Sequence, residues 1–247
     1  MSKDSLSLTR GVKFYVMAEK LMNRKMVISF VGLSGTGKSL NRRVLQHSLA
    51  IRGTSSGDLM RQHILHTHGV DLEQYVGKIV DDDDRMVDQA SIEWMKKSGA
   101  RTIDGRTQGA FLAKMERDGE IESGSSLRVA IKCEPETVRA SRALRKFRNK
   151  PGLEHIGVNG VVELQRVRDE TDLDRYIRIW GDLYDFDCAD GLYGLPPNQL
   201  EINTAIVSPS SALVMVLANL VLLDALPISN LPIAYIRGES AINRFMK

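Results

Sequence analysis

The sequence predicts an α/β fold in which helices cover both faces of a parallel sheet. Two observations predict it. Short apolar runs typical of strands alternate with patterns typical of helices, and a glycine-rich turn joins the first strand to the first helix. Short strands that are buried on both faces, with helices between them, imply a doubly wound parallel sheet. The 247 residues, 43% hydrophobic and 26% charged, suffice for one domain with a single core.

The predicted strands and helices alternate over most of the chain, and two stretches depart from the alternation. Residues 55–98 are predicted to be mostly helical with no strand, and residues 148–162 are rich in Gly, Pro and Asn. We expect both stretches to fold over a ligand site at the strand ends. The regular elements are the strand MVISFV (26–31), the helix KSLNRRVLQHSLAI (38–51), the strands RTID (101–104) and LRVAIKC (127–133), the helix ETVRASRALRKF (136–147) and the strand QLEINTA (199–205).

Neither the N-terminal segment nor the most apolar stretch of the chain is predicted to cross a membrane. Residues 1–25 have no continuous apolar run, so we expect no secretory signal there but a short packed helix from about Val12 to Met22. The apolar stretch 212–223 is interrupted by Asn219 and is shorter than a bilayer span. It is predicted to be a buried core helix, which the tail or a second subunit covers.

Charge and cysteine content favour a cytoplasmic protein. The formal charge of +3 is too small to argue for a nucleic-acid partner, and no segment argues for a membrane. Two cysteines, Cys133 and Cys188, give no disulfide framework and suit a reducing compartment. Oligomeric state stays open between monomer and homodimer.

The stretch GLSGTGKS, residues 32–39, has the pattern G-x-x-x-x-G-K-[ST] of a phosphate-binding loop. Glycines let consecutive backbone N–H groups converge on phosphate oxygens, and the following helix adds the positive end of its dipole. The lysine reaches the outer phosphates, and the serine hydroxyl suits Mg²⁺. The cofactor predicted is ATP with Mg²⁺, with Ser39 as metal ligand, and the predicted ATP-binding residues are Gly32, Ser34, Gly35, Thr36, Gly37, Lys38, Ser39 and Leu40.

Two other classes of phosphate-loop protein are disfavoured by the rest of the sequence. A GTPase carries Asn-Lys-x-Asp near the end of its sheet, where this chain has EINTAIVS. A motor or AAA-type ATPase is usually larger and has an acidic pair at the end of an apolar strand. The acidic run 81–84 is instead predicted to begin a helix, where carboxylates favour the helix dipole.

Arginines occur in several segments, as a kinase of a phosphorylated acceptor needs in order to hold two anions together. Arg61 follows a Ser-Gly turn by one helical turn, and Arg106 lies just past a strand end. Between Arg139 and Lys150 there are six basic residues and no acidic one. Such a run is either a solvated helix face or an attractive surface for nucleotides.

Five segments together resemble the nucleoside monophosphate kinases, and most of all the archaeal-type cytidylate kinases. They are VISFVGLSGTGKS, SSGDLMRQ, IDGRTQGAF, RVRDETDLDRYIRIWG and LEINTA, within about residues 26–223. The resemblance implies a P-loop NTPase fold and transfer of the ATP γ-phosphoryl group to CMP or dCMP. It divides the chain into an N-terminal extension (1–25), a kinase domain (26–226) with an acceptor-binding segment (54–98) and a lid (139–168), and a C-terminal tail (227–247).

The same resemblance implies roles for individual residues. Asp169 and Asp172 are expected to orient arginines, whereas Arg139 and Arg148 are expected on the surface. Catalytic roles are implied for Lys38, Arg142, Arg145 and Arg168, and acceptor binding for Ser56, Gly57, Arg61, Arg106, Arg168 and Arg175.

Several alternatives remain open at this level. The acceptor could be another small molecule, and a non-catalytic ATP-binding regulator would carry the same loop. A metal site in RQHILHTHG is disfavoured, because no carboxylate or cysteine completes the set and His63, His66 and His68 do not share one helix face. Trp94 and Trp180 are expected to pack in the core or at a hinge rather than stack on a base.

Overall fold

The fold is a five-stranded parallel sheet with helices on both faces, in a computed structural model that describes residues 26–184 and 199–246. The strand order is β2-β3-β1-β4-β5, and every neighbouring pair is parallel. The strands are β1 (Val27–Val31), β2 (Arg52–Ser55), β3 (Arg101–Gly105), β4 (Ser126–Lys132) and β5 (Gln199–Asn203).

Nine α-helices lie within these described residues. The helix α7 contains a kink at Trp180, whose φ and ψ are −134° and 36°. The helices are α1 (Lys38–Leu49), α2 (Ser56–His68), α3 (Leu72–Tyr75), α4 (Asp81–Lys96), α5 (Gln108–Arg117), α6 (Glu136–Arg148), α7 (Val158–Tyr184), α8 (Pro209–Leu222) and α9 (Leu231–Phe245), with short 3₁₀ turns at Val76–Lys78 and Ile228–Asn230.

The predicted parallel α/β architecture is confirmed, with one strand missed. The strand β2, with the sequence RGTS, has no apolar run because it lies at the sheet edge and is only half buried. Ser55, the first residue of the stretch 55–98, is therefore the last residue of a strand, and the regular elements in the rest of the stretch are helices. The helix expected from Val12 to Met22 lies outside the described residues.

The larger core lies between the sheet and three helices, α1, α8 and α9. Phe30, Leu45 and Leu217 are fully buried there. Gly238 of α9 lies so close to Leu213 of α8 that a Cβ would not fit, and the Ser48 hydroxyl donates to the Ala234 carbonyl at 2.6 Å. The C-terminal tail therefore covers the apolar helix, as one of the two predicted alternatives required.

The opposite face of the sheet packs on α5, around Phe111 and Leu112. Trp180 joins this cluster with an edge contact to Phe111, 5.3 Å between ring centroids, which confirms its predicted packing role. Among the described residues, no helix combines the length and the apolarity that a bilayer crossing would demand.

Candidate phosphate-binding and acceptor site

The loop between β1 and α1 has the conformation that phosphate binding requires. Gly35 and Gly37 have φ of 85° and 98°, in the region that favours glycine. Gly32 packs directly against the Ile131 carbonyl, where a Cβ has no room. The Thr36 hydroxyl donates to the Leu33 carbonyl at 2.9 Å and closes the turn. The resulting cradle at the N-terminus of α1 fits a chain of phosphates.

Lys38 lies inside this cradle, with its ammonium donating to the Leu33 carbonyl at 2.8 Å. The pKa of Lys38 is lowered to about 8, chiefly by burial and also by the charges of Arg106 and Arg168, whereas Asp104 and Asp169 oppose the shift. Charged groups of β3, of Arg106 directly after β3, and of α7 therefore act on this amine. An anionic phosphate beside it would stabilise its charged form.

Asp104 completes the loop and was not predicted as a site residue. It lies in β3 opposite Phe30 of β1 and accepts a hydrogen bond from the Ser39 hydroxyl at 2.7 Å. Its other carboxylate oxygen pairs with the buried Arg42 of α1. The hydroxyl and the carboxylate are hard oxygen donors, which fits the Mg²⁺ predicted at Ser39. An aspartate at the end of a buried strand was the sequence signal available for this residue.

Arg106 and Arg139 are joined through Asp169, and this pairing corrects one prediction. Asp169 accepts from Arg106 at 3.0 Å and from Arg139 at 2.6 Å. Arg139 was expected on the surface, yet its side chain is only 2% exposed. Its aliphatic part lies against Gly35 of the phosphate loop. Arg139 is buried because α7 packs along α6 and covers it.

Arg168 and Arg175 share one face of α7, as their spacing predicted. Both reach Asp172, at 3.6 Å and 3.2 Å, and Arg175 also pairs with Asp84 of α4 at 2.9 Å. Asp172 is also ion-paired with Arg106, at 2.9 Å. The aspartate therefore contacts three arginines, among them Arg168 and Arg175, which it is predicted to orient.

Arg61 is exposed at the edge of the site. Its guanidinium lies 2.7 Å from Asp58, whose other oxygen is 4.0 Å from Arg42. The nearby Ser56 hydroxyl packs against Gly105 of β3. The first turn of α2 therefore meets the same strand end as Asp104, which places Ser56, Gly57 and Arg61 together beside the phosphate loop.

The predicted lid arginines separate in the structure. Arg142 donates to the Thr204 hydroxyl at 2.9 Å, and the same hydroxyl donates to the Thr36 carbonyl at 2.7 Å. Arg145 is exposed. Arg148 donates to the Ile156 carbonyl at 3.1 Å and is exposed, as expected. The structure fixes Arg142 beside the loop after β5, whereas Arg145 extends into solvent.

Leu40 has a structural role. It packs against the larger core from the first turn of α1. A leucine side chain also has no polar group to offer a nucleotide. Its place among the predicted ATP-binding residues rests on its backbone alone.

Two buried carboxylates lie behind Arg175, on α4. Burial raises the pKa of Asp84 to about 6 and that of Asp88 to about 7. Asp88 accepts from the Thr107 hydroxyl at 3.0 Å and from the Trp180 indole at 2.8 Å, and these bonds oppose the shift. The pKa of each group is therefore close to neutral pH.

The raised pKa of Asp88 predicts a pH dependence of stability. Above its ordinary pKa near 4 and up to about pH 7, the unfolded chain has lost the proton that the folded chain keeps. Stability therefore falls as pH rises through this range, by at most ~1.4 kcal/mol per pH unit for one proton. Urea unfolding between pH 4.5 and 7 measures the slope.

The variant Asp88→Asn cannot ionise and is expected to lose this part of the slope. Asp82→Asn, at a side chain that is 85% exposed on the same helix, is the matched control and is expected to keep the wild-type slope. Equal slopes for wild type and Asp88→Asn would contradict the raised pKa.

Two solved structures are similar to this chain over most of its length. A gluconokinase from Sinorhizobium meliloti 1021 is similar over 80% of this chain and 93% of its own, with 14% identity and a TM-score of 0.48. A shikimate kinase from Acinetobacter baumannii in complex with shikimate is similar over 85% and 99%, with 16% identity and a TM-score of 0.49. No curated protein sequence matches the chain.

A family match and the position of Asp104 bear on the sequence prediction that disfavoured AAA-type ATPases. That prediction rested on chain size and on the lack of an acidic pair at the end of an apolar strand, and Asp104 is a single acidic residue at such an end, beside β1. A family model described as "AAA domain" matches residues 31–156, about half of the chain, and includes the whole phosphate loop after Val31. The protein has a P-loop NTPase α/β fold and belongs to the AAA domain family.

Proposed function

We propose that the protein transfers the γ-phosphoryl group of ATP to the phosphate of a nucleoside monophosphate, with CMP or dCMP as the acceptor. The observation that carries the proposal is the electrostatic environment of Lys38. The charges of Arg106, directly after β3, and of Arg168 of α7 contribute to the lowered pKa of Lys38, so the lysine of the phosphate loop and these two arginines act on one volume. Such convergence suits two phosphate groups brought together.

The donor half of the site would consist of the loop and its neighbours. Backbone N–H groups of residues 32–39 would hold the triphosphate, and Lys38 would exchange the Leu33 carbonyl for a phosphate oxygen. Ser39 and Asp104 would hold Mg²⁺. The ion, when bound, neutralises phosphate charge as it shifts to the leaving group.

The acceptor half would be the arginine and aspartate cluster formed by Arg106, Arg168, Arg175, Asp169 and Asp172, with Arg61 at its edge. An acceptor phosphate would replace carboxylate oxygens as a partner of the arginines, so the aspartates keep the guanidinium groups oriented before binding. An acceptor oxygen then attacks the γ-phosphorus as the bond to the β–γ bridging oxygen breaks, which releases ADP. The anionic acceptor needs no general base.

A second candidate is transfer to a hydroxyl group of another small acceptor. The observation that favours it is the pair Asp84 and Asp88, whose pKa values lie near 6 and 7. A carboxylate with such a pKa accepts a proton from a hydroxyl more readily than an ordinary one. Because the chain belongs to the AAA domain family, ATP hydrolysis without an acceptor must also be measured.

The proposal is tested by ADP formation with ATP and Mg²⁺ against a panel of CMP, dCMP, UMP, AMP and GMP, with sugar acids as hydroxyl acceptors. We expect CMP and dCMP to give the highest kcat/KM. Arg61→Ala is expected to raise the KM for the monophosphate at least about tenfold, the loss of one charge-assisted contact. Arg148→Ala removes an equally exposed charge of α6 and is expected to leave this KM unchanged.

Each other outcome identifies a different function. ADP formation that is equal with and without acceptors indicates an ATPase. Turnover with sugar acids alone indicates the hydroxyl acceptor, and ATP binding with no turnover indicates a regulator. A cytoplasmic location remains part of the proposal, consistent with Cys133 being a buried free thiol.

A further inference from the structure

Two histidines of α2 and one aspartate of α4 converge at the far end of the acceptor-binding segment. Asp83 Oδ1 lies 2.9 Å from His63 Nε2 and 3.4 Å from His68 Nε2. The three potential ligand atoms all lie within 4.8 Å of one another. Within residues 26–184 and 199–246, these three side chains are the group of histidine, cysteine or acidic residues that is close enough together to hold a metal ion.

The sequence argument against a metal here was wrong in its central point. It held that no carboxylate completes the histidines, but Asp83 does so from a different helix, 15 residues beyond His68. His63 and His68 need not share one helix face, because α2 ends at His68 and the chain turns at Gly69, with φ of 67°.

We propose that His63, His68 and Asp83 bind a divalent transition metal ion, with Zn²⁺ as the best fit, and that the ion ties the end of α2 to the start of α4. Two imidazole nitrogens and one carboxylate oxygen are a recurrent zinc ligand set, with water in the fourth position. Ligands about 2.0–2.1 Å from a tetrahedral ion lie about 3.3 Å apart, close to the two distances found here.

The surrounding residues hold all three side chains in place. The second oxygen of Asp83 accepts from the Val80 N–H at 3.1 Å, and the Thr67 hydroxyl lies 3.4 Å from His63 Nδ1. The His68 ring stacks on Tyr75, with 4.2 Å between centroids and 19° between planes. Such outer contacts fix ligand orientation at metal sites.

Burial is graded across the three ligands, from Asp83 at 6% exposed to His63 at 19% and His68 at 30%. The carboxylate is therefore shielded, whereas the histidines leave a path from solvent for the ion. Mg²⁺ prefers oxygen ligands, so this site is chemically distinct from Ser39 and Asp104.

The experiment uses the full chain after chelator treatment and dialysis, without nucleotide. Co²⁺ titration is expected to give the visible absorption of a four-coordinate nitrogen and oxygen site, and Zn²⁺ is expected to abolish it at one equivalent. Zn²⁺ at about 100 times its Kd is expected to raise Tm by about 5 °C or more. Mg²⁺ is expected to produce neither effect.

Matched histidine variants locate the ion. His63→Ala and His68→Gln are expected to lower Zn²⁺ affinity at least about tenfold and to remove the Tm shift. His66→Ala, an exposed histidine of the same helix turn, is expected to behave as wild type. His68 is partly exposed, so its variant tests the site without depending on a core position.

The proposal is overturned if wild type gives no Co²⁺ spectrum and no Tm shift, which would leave an ordinary hydrogen-bonded cluster. It is overturned equally if His66→Ala loses binding as much as His68→Gln, or if both ligand variants bind Zn²⁺ as wild type does. None of these outcomes depends on the acceptor or on turnover, so the proposed function stands or falls separately.

Discussion

Lys38→Ala is expected to lower kcat for phosphoryl transfer by at least about 10²-fold, the usual cost of removing one preorganised charge from a transition state. The ammonium is the cation of the phosphate loop, and Arg106 and Arg168 contribute to the same electrostatic field. Alanine leaves the transferring oxygens without this partner. Steady-state kinetics with saturating ATP and acceptor measure the loss.

The fold of this variant is expected to survive. Burial of Lys38 opposes its charge, as its lowered pKa records, so its removal relieves a desolvation penalty and costs one hydrogen bond to Leu33. Lys114→Ala removes an exposed lysine that pairs with Asp118, one helical turn away, and serves as the matched control. A Lys38→Ala enzyme with kcat within a few-fold of wild type would refute the proposed transfer mechanism.

Asp104→Asn is expected to lose both stability and Mg²⁺-dependent turnover. Asp104 and Arg42 form a pair whose side chains are 5% and 7% exposed. Breaking a buried pair costs about 3–5 kcal/mol, which for a chain of this size lowers Tm by roughly 10 °C. The asparagine also weakens the oxygen set at Ser39, so turnover is expected to fall at least about 10²-fold.

A double variant separates the two effects. Arg42→Met with Asp104→Leu replaces both buried charges by apolar groups, which is expected to recover most of the Tm while turnover stays low. Asp118→Asn, at an exposed carboxylate, controls for the loss of one negative charge. Turnover and Mg²⁺ dependence close to wild type in Asp104→Asn would show that this carboxylate has no part in the site.

Local patterns along the chain were enough to predict most of the architecture. The strand MVISFV and the helix after GLSGTGKS appear as β1 and α1, because apolar runs and glycine turns act over a few residues. The short edge strand β2 was not predicted, since its stability comes from pairing with β3 rather than from its own side chains.

Such local patterns could not predict which side chains of distant segments pair with each other. Arg139 carries the same sequence signal as Arg148, yet one is buried against Gly35 and the other is exposed. Asp83 appeared to be one of four helix-starting acids, and its contact with His63 depends on how α2 and α4 pack. Charge pairing of this kind depends on tertiary distance, which spacing along one helix does not contain.

The sequence by itself determined the phosphate-loop fold and the residue types that hold a triphosphate, because a glycine turn between a strand and a helix is a local conformation. Only the tertiary structure decided that Asp104 joins Ser39, that Asp169 pairs with a buried Arg139, and that Asp83 meets two histidines. The physical reason is that a buried charge is stable only beside its partner, and in this protein the partners lie many residues apart.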